Sequence, residues 1–252
     1  MLKFHVSESV EYLESECELP HMTTKKVNSM LGVNSYGREL SQEDIANYVH
    51  RGFIGGLWGK LGLQQLEFLK SHGLKPDHKL IDIGCGCLRG GLHFMRYLDA
   101  GNYYGIDVNR SLIEAGVMEI KKEGLDDKLP TLLVDDHFRL DKFGEEFDYM
   151  VSVSLFTHLP MNIIIRCLSM ASRVLKSNGI FFATFFEAPG SAHLDKIVHE
   201  PGGIITAYDV DPFHYSFEEL SWMGAVSGLD TELIGDWNHP RNQKMAAFTL
   251  SK

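Results

Sequence analysis

An apolar run, Leu80-Ile81-Asp82-Ile83, breaks into Gly84-Cys85-Gly86, and a second run, Tyr103-Tyr104-Gly105-Ile106, ends in Asp107. Together these residues make a nucleotide pocket. Glycines at the carboxyl end of one parallel strand let backbone approach a ligand, and a carboxylate at the end of the next accepts the hydroxyls of a ribose. Gly90-Gly91-Leu92-His93-Phe94-Met95-Arg96-Tyr97-Leu98 supplies the crossover helix between them. A dinucleotide fingerprint needs a third glycine three residues after Gly86, where the pyrophosphate meets the helix. Arg89 stands there, with the glycines delayed to Gly90 and Gly91, so a dehydrogenase is the weaker reading.

Such a pocket needs a sheet to position it, and strand and helix patterns alternate from residue 80 onward. Thr131-Leu132-Leu133-Val134 ends in Asp135-Asp136. The run from Phe147 to Ser154 leads into Leu155-Phe156-Thr157-His158-Leu159. A helix over 162–175 and a polar turn, Lys176-Ser177-Asn178-Gly179, precede a strand over 180–186. Finally, 231–235 and 244–250 flank a polar turn with Pro240, and adjacent strands joined this way pair antiparallel.

From about Gly55 to the C-terminus this arrangement resembles the class I S-adenosylmethionine-dependent methyltransferases. The residues that carry the resemblance are Asp82-Ile83-Gly84-Cys85-Gly86, Asp107, the exit of the fourth strand, the turn before the fifth, and the antiparallel last strand that dehydrogenases lack. It implies a Rossmann-like α/β fold, a mostly parallel seven-stranded sheet with an antiparallel last strand, and S-adenosyl-L-methionine as cofactor. The implied cofactor contacts are Asp82, Gly84, Cys85, Gly86, Arg89, Asp107, Val108, Asp135, Asp136, Ser154 and Leu155, with Trp58 in a cover ahead of the first strand. Several of these have a second use open to them. Asp107 could cap the helix over 110–123, Asp82 could accept amides of its own loop, and one of Asp135 and Asp136 could be a turn residue. Arg89 could pair with a surface acid or lie near the cofactor carboxylate, and Trp58 could merely staple the N-terminal segment to the core.

A sulfonium methyl is already activated, so the protein has mainly to align a nucleophile and exclude water. A hydroxyl acceptor also needs a base, and His158 and His214 are the candidates, one at the fourth-strand exit and one closing a long loop. His137, His193, His199 and His239 read as surface or loop residues. Phe156, Phe186 or Trp58 would give aromatic walls. The amino-methylating signature of Asn or Asp, two prolines and an aromatic is absent after the fourth strand, which counts against DNA or protein-glutamine substrates. The expected acceptor is a small molecule, oxygen ahead of nitrogen. A non-catalytic cofactor-binding or interaction protein that retains the fold is the alternative.

Two stretches stand outside the alternation. Residues 1–75 read as a helical appendage and cap, with a capping box at Ser41-Gln42-Glu43-Asp44, a tight turn at Gly55-Gly56-Leu57-Trp58-Gly59 and a helix over 64–70 that Gly73 and Pro76 end. The second, about 187–213 within the methyltransferase domain at 76–252, is too rich in aromatic and apolar residues for disorder and reads as a lid or short hairpin. The net charge of −10 argues against a nucleic-acid partner. Cys17, Cys85, Cys87 and Cys167 lack metal-knuckle spacing, and with no signal peptide in the opening Met1-Leu2-Lys3-Phe4 and no membrane-spanning run, a reduced cytoplasm is expected.

Overall fold

The computed structural model describes residues 35–190 and 193–252; Cys17 and the opening from Met1 lie outside them. The strands are β1 (Leu80–Ile83), β2 (Tyr103–Asp107), β3 (Thr131–Val134), β4 (Phe147–Ser152), β5 (Leu175–Phe185), β6 (Ile197–His199), β7 (Ile204–Thr206), β8 (Leu229–Asp236) and β9 (Lys244–Leu250). Seven of them form one sheet in the order β3-β2-β1-β4-β5-β9-β8. The pairs from β3 through β5 are parallel, and β9 runs antiparallel to both β5 and β8. This is the expected Rossmann-like sheet.

Alternation along each strand divides the apolar residues between two faces. Leu80 and Tyr103 join the cluster under α3 (Trp58–Ser71), α4 (Gly91–Tyr97) and α5 (Arg110–Lys122). Ile81, Ile83, Tyr104 and Ile106 join the opposite cluster with α6 (Met161–Ala171) and α7 (Phe217–Val226). With β1 buried on both faces, its sequence is apolar but for Asp82. Phe181, Phe185 and Phe248 are fully buried in the second cluster, where truncating one to Ala would cost about 3–5 kcal/mol.

Three local readings change. The helix expected over 162–175 ends at Ala171, and β5 already begins at Leu175. Leu175 pairs with Phe147 and Ile180 with Tyr149, so residues 176–179 bulge out opposite Asp148, whose carboxylate holds the Lys176 ammonium at 2.8 Å. The helix that the Ser41 capping box opens, which the sequence runs on through Val49 to near Gly52, is two, α1 (Gln42–Ala46) and α2 (Val49–Phe53), parted where Tyr48 turns left-handed. The box itself forms, Ser41 Oγ accepting from the Asp44 amide and Asp44 accepting from the Ser41 amide. And α3 starts at Trp58, not Gln64, because Gly59 and Gly62 are taken into it. A Cβ on Gly62 would lie 2.3 Å from the Arg89 carbonyl oxygen, so only glycine lets α3 approach the loop after β1 this closely.

The buried Glu119 carboxylate on α5 accepts from Arg51 Nε and Nη2, both at 2.7 Å, and contacts His50 Nε2 at 2.9 Å. This charge-assisted clamp seats α2 on the domain. The described part of the 187–213 stretch is built around the β6–β7 hairpin and tied to the β4 exit by Phe213 N donating to Thr157 O at 2.7 Å. Among the described residues no helix is long and apolar enough to cross a membrane.

Candidate active site

At the carboxyl ends of β1, β2 and β4, where open α/β sheets take ligands, lies a cavity of about 330 Å3. Of the sequence-predicted cofactor contacts, Asp82, Gly84, Cys85, Gly86, Arg89, Asp107, Val108, Asp135, Asp136, Ser154 and Leu155 all line it, and so does His158. Trp58 and His214 do not.

The loop after β1 is shaped by two left-handed glycines, Gly84 at φ 75° and Gly86 at φ 54°. A Cβ on Gly84 would press on Leu155 at 3.1 Å and one on Gly86 would meet Ile54 at 3.4 Å, so the loop forms an open cradle. Asp107 is not a helix cap; Asn109 caps α5, its Oδ1 accepting from the Leu112 amide. Instead Asp107 Oδ2 accepts from the Gly86 amide and Oδ1 from the Asn109 amide, each at 2.8 Å, which fixes the carboxylate across the cradle. Burial pushes its pKa up, partly offset by these amides. Each carboxylate oxygen has several acceptor sites, so these amides leave capacity for ribose hydroxyls.

Asp82 does not bind its own loop's amides, because Gly84 N and Cys85 N both donate to Ile106 O. Its partner is the Tyr103 phenol, donating at 3.2 Å. Burial above all, with Asp107 adding to it, pushes the Asp82 carboxyl up to about 7. An unfolded Asp titrates near 4, so between about pH 4 and 7 the folded chain binds the extra proton and stability falls as pH rises. Asp82→Asn is expected to remove this part of the slope, read from urea midpoints at about pH 5 and pH 7.5. Identical slopes in the two proteins would refute the assignment.

Asp135 proves to be the turn residue. Its carboxylate pairs with Arg139 and Lys142 and accepts from the His137 and Arg139 amides, and those amides with the Arg139 guanidinium hold its pKa down against burial. Asp136, half exposed and beside His137, lines the cavity with no such brace. Cys85 is buried and its thiol pKa is raised by that burial.

Among the described residues Arg89 pairs with no surface acid. Nη1 donates to Ile54 O at 3.2 Å and to Gly56 O at 2.9 Å, while Nε is buried without a partner. The 54–56 segment thus covers the cradle, but through Ile54 and its carbonyls. Trp58 serves as the staple: α3 turns its ring toward α2, with Arg51 stacked 4.6 Å above it and Leu40, Ile45 and Leu112 nearby.

His158 Nδ1 lies 2.5 Å from Asp211 Oδ1, and the Tyr36 ring stands edge-on to its imidazole at 4.6 Å. His214, by contrast, is fully buried inside the insertion. Its Nε2–H donates to His193 O at 2.6 Å and Nδ1 contacts Thr206 Oγ1 at 2.7 Å, so both nitrogens are engaged in structure. His199, at the end of β6, and His239, in a loop as expected, are both buried rather than at the surface. Of the expected aromatic walls, Phe186 lines the cavity whereas Phe156 belongs to the core.

Sequence reasoning missed Tyr36, Gln65, Arg241 and Gln243, and held Ile54 only as part of the 50–58 cover segment; all five line the cavity. Ser154, left-handed at φ 62°, donates its amide to Thr184 Oγ1 and its hydroxyl to Gln243 Oε1. The cradle, the Asp107 carboxylate and the unpartnered Arg89 Nε suit an adenosyl amino acid: hydroxyl acceptors for a ribose, and a donor for an α-carboxylate.

A family model described as a methyltransferase domain matches residues 80–179. The cyclopropane-fatty-acyl-phospholipid synthase of Escherichia coli K12 is 32% identical over 143 residues, 56% of this chain and 30% of that protein. An uncharacterised protein of Rickettsia prowazekii is 28% identical over 126 residues, 48% of this chain and 49% of its own length. The chain thus spans about half or less of the length of these curated relatives. In three dimensions, an S-adenosylmethionine-dependent methyltransferase from Clostridium acetobutylicum matches with a TM-score of 0.61 at 11% identity, over 84% of this chain and 100% of that one. Sheet order and cradle agree with the matched domain: residues 80–179 match a methyltransferase domain, and the chain has the Rossmann-like fold of S-adenosylmethionine-dependent methyltransferases.

Proposed function

We propose that this chain transfers a methyl group from S-adenosylmethionine to a hydroxyl of a small-molecule acceptor. The observation that carries the choice of a hydroxyl is the His158–Asp211 pair at the cavity. Bound in the cradle, the cofactor supplies a methyl on a positively charged sulfur that leaves as a neutral thioether. Asp107 holds the ribose, Asp136 faces the adenine end, Asp82 meets the α-ammonium and Arg89 the α-carboxylate. Asp211 accepts from His158 Nδ1–H and so places the basic electron pair on Nε2. His158 then takes the acceptor's hydroxyl proton at Nε2 as the oxygen is alkylated.

Phe186, Leu155, Leu159, Ile204 and Pro212 give the acceptor side an apolar wall. That composition favours an organic acceptor and excludes water from the reacting atoms. Residues 35–75 and the 187–213 insertion act as the two covers over the sheet edge. Relatives whose names refer to lipids and sterols, such as the sterol 24-C-methyltransferase of Yarrowia lipolytica, agree with a small-molecule acceptor.

Calorimetry with S-adenosylhomocysteine and with NAD, followed by mass spectrometry of metabolite extracts incubated with methyl-labelled cofactor, tests the reading. Binding of the first nucleotide alone and a labelled product are expected. Tight binding with no labelled product in any extract would favour a non-catalytic binder.

A further inference from the structure

Beside the His158 end of the cavity stand two side chains, Gln243 and Arg241, with donor capacity left over among the described residues. Gln243 is 2% exposed, and its amide orientation follows from the network around it. Thr184 Oγ1 accepts from Ser154 N, so its proton goes to Gln243 Oε1 at 2.7 Å, where the Ser154 hydroxyl also donates at 3.0 Å. Oε1 is fully used, and the Nε2 amide has no protein partner among the described residues. Two residues earlier, Arg241 donates Nη2 to Gly55 O at 2.7 Å and forms no ion pair within the described residues, though its guanidinium also lines the cavity. The lid turn closes on this arginine, since a Cβ on Gly202 would lie 2.8 Å from Arg241 Cα.

Local charge points the same way. His239, between these residues and Trp237, accepts the Arg241 and Gln243 amides at Nδ1. Burial, with the nearby Arg89 and Arg241 charges, drives its pKa down to about 3 and keeps the ring neutral. Asp211, the acid beside His158, is engaged by that imidazole. A guanidinium inside a partly closed cavity without a counter-ion is costly unless an anion completes it. The planar fork of arginine with a neighbouring amide NH2 matches the two oxygens of a carboxylate.

We propose that the methyl acceptor carries a carboxylate, held by the Arg241 guanidinium and the Gln243 amide where the loop over 237–243 meets the lid hairpin. This rests on the methyl-transfer reading, with Arg89 left to the cofactor's own carboxylate. The carboxylate is an anchor, gripped by donors that lower its nucleophilicity, and the methylated hydroxyl lies elsewhere on the acceptor, toward His158.

The test uses the full chain saturated with S-adenosylhomocysteine, titrated with benzoate, salicylate and hexanoate and with the corresponding carboxamides, by saturation-transfer NMR and calorimetry. At least one acid is expected to bind about tenfold or more tighter than its amide. Arg241→Gln abolishes that preference, Arg241→Lys keeps part of it, and both variants bind S-adenosylhomocysteine within about threefold of wild type. Acids binding no better than amides, or a preference that survives Arg241→Gln, would overturn the proposal. A large loss of S-adenosylhomocysteine affinity in Arg241→Gln would do so too, by giving Arg241 to the cofactor. Failure of wild type to bind S-adenosylhomocysteine at all would instead remove the methyl-transfer reading, and this inference with it.

Discussion

Asp107→Ala is expected to weaken S-adenosylhomocysteine binding by about 1.5–3 kcal/mol, roughly tenfold to a hundredfold. Two effects add. The variant loses charge-assisted acceptors for the ribose, and it leaves the Gly86 and Asn109 amides, now bonded at 2.8 Å, without partners. The second effect loosens the cradle itself, so Asp107→Asn separates them. Asparagine keeps one carbonyl acceptor but not the charge, and its loss is expected to fall between wild type and the alanine variant. Calorimetry on variants whose thermal midpoints show them folded is the measurement. Unchanged affinity in a folded Asp107→Ala would remove the ribose role and leave Asp107 as a loop brace.

What the sequence revealed follows from which parts of the protein are periodic. Strands buried on both faces must be apolar along their length, and the short runs at 80–83, 103–107 and 147–152 carry that signature unmistakably. Gly84 and Gly86 announce a backbone conformation that other residues adopt only rarely, so the loop after β1 was legible in the sequence. The acceptor side was not. Arg241 reaches back to Gly55 and Asp211 reaches back to His158, contacts across long loops that no local pattern encodes.

The errors have the same origin. His158 and His214 are equivalent by residue type and by nearness to a strand end, and only the fold separates them. Thr206 and the His193 carbonyl bury one in the insertion, while Asp211 holds the other at the cavity. Trp58 was the conspicuous residue of its segment, but burying an indole is most favourable in the apolar seam beneath Arg51, and the cover falls to Ile54 and two peptide carbonyls. Arg241 and Gln243 sat in what reads as a polar turn, where arginine and glutamine are ordinary; the signal available was Pro240, which marks a turn but not its direction.

His158 carries the largest expected effect on turnover. With the acceptor found by labelled-methyl screening, His158→Gln should lower kcat by about two to four orders of magnitude while S-adenosylhomocysteine affinity stays within about twofold of wild type. Glutamine can keep a hydrogen bond to Asp211 but cannot take a proton, so position is separated from basicity. The rise of rate with pH that a histidine base produces should vanish in this variant. Asp211→Asn should act through His158: the amide no longer stabilises the imidazolium or enforces its tautomer, so kcat falls by a smaller factor and KM moves little. His214→Gln provides the contrast, because its nitrogens bind Thr206 and a backbone carbonyl. It is expected to lower the thermal midpoint, by leaving buried groups unpaired, with kcat of the folded fraction near wild type. Near-normal turnover in both His158→Gln and Asp211→Asn would show that no base is used, and alignment of an already nucleophilic acceptor with the methyl–sulfur bond would then account for the rate.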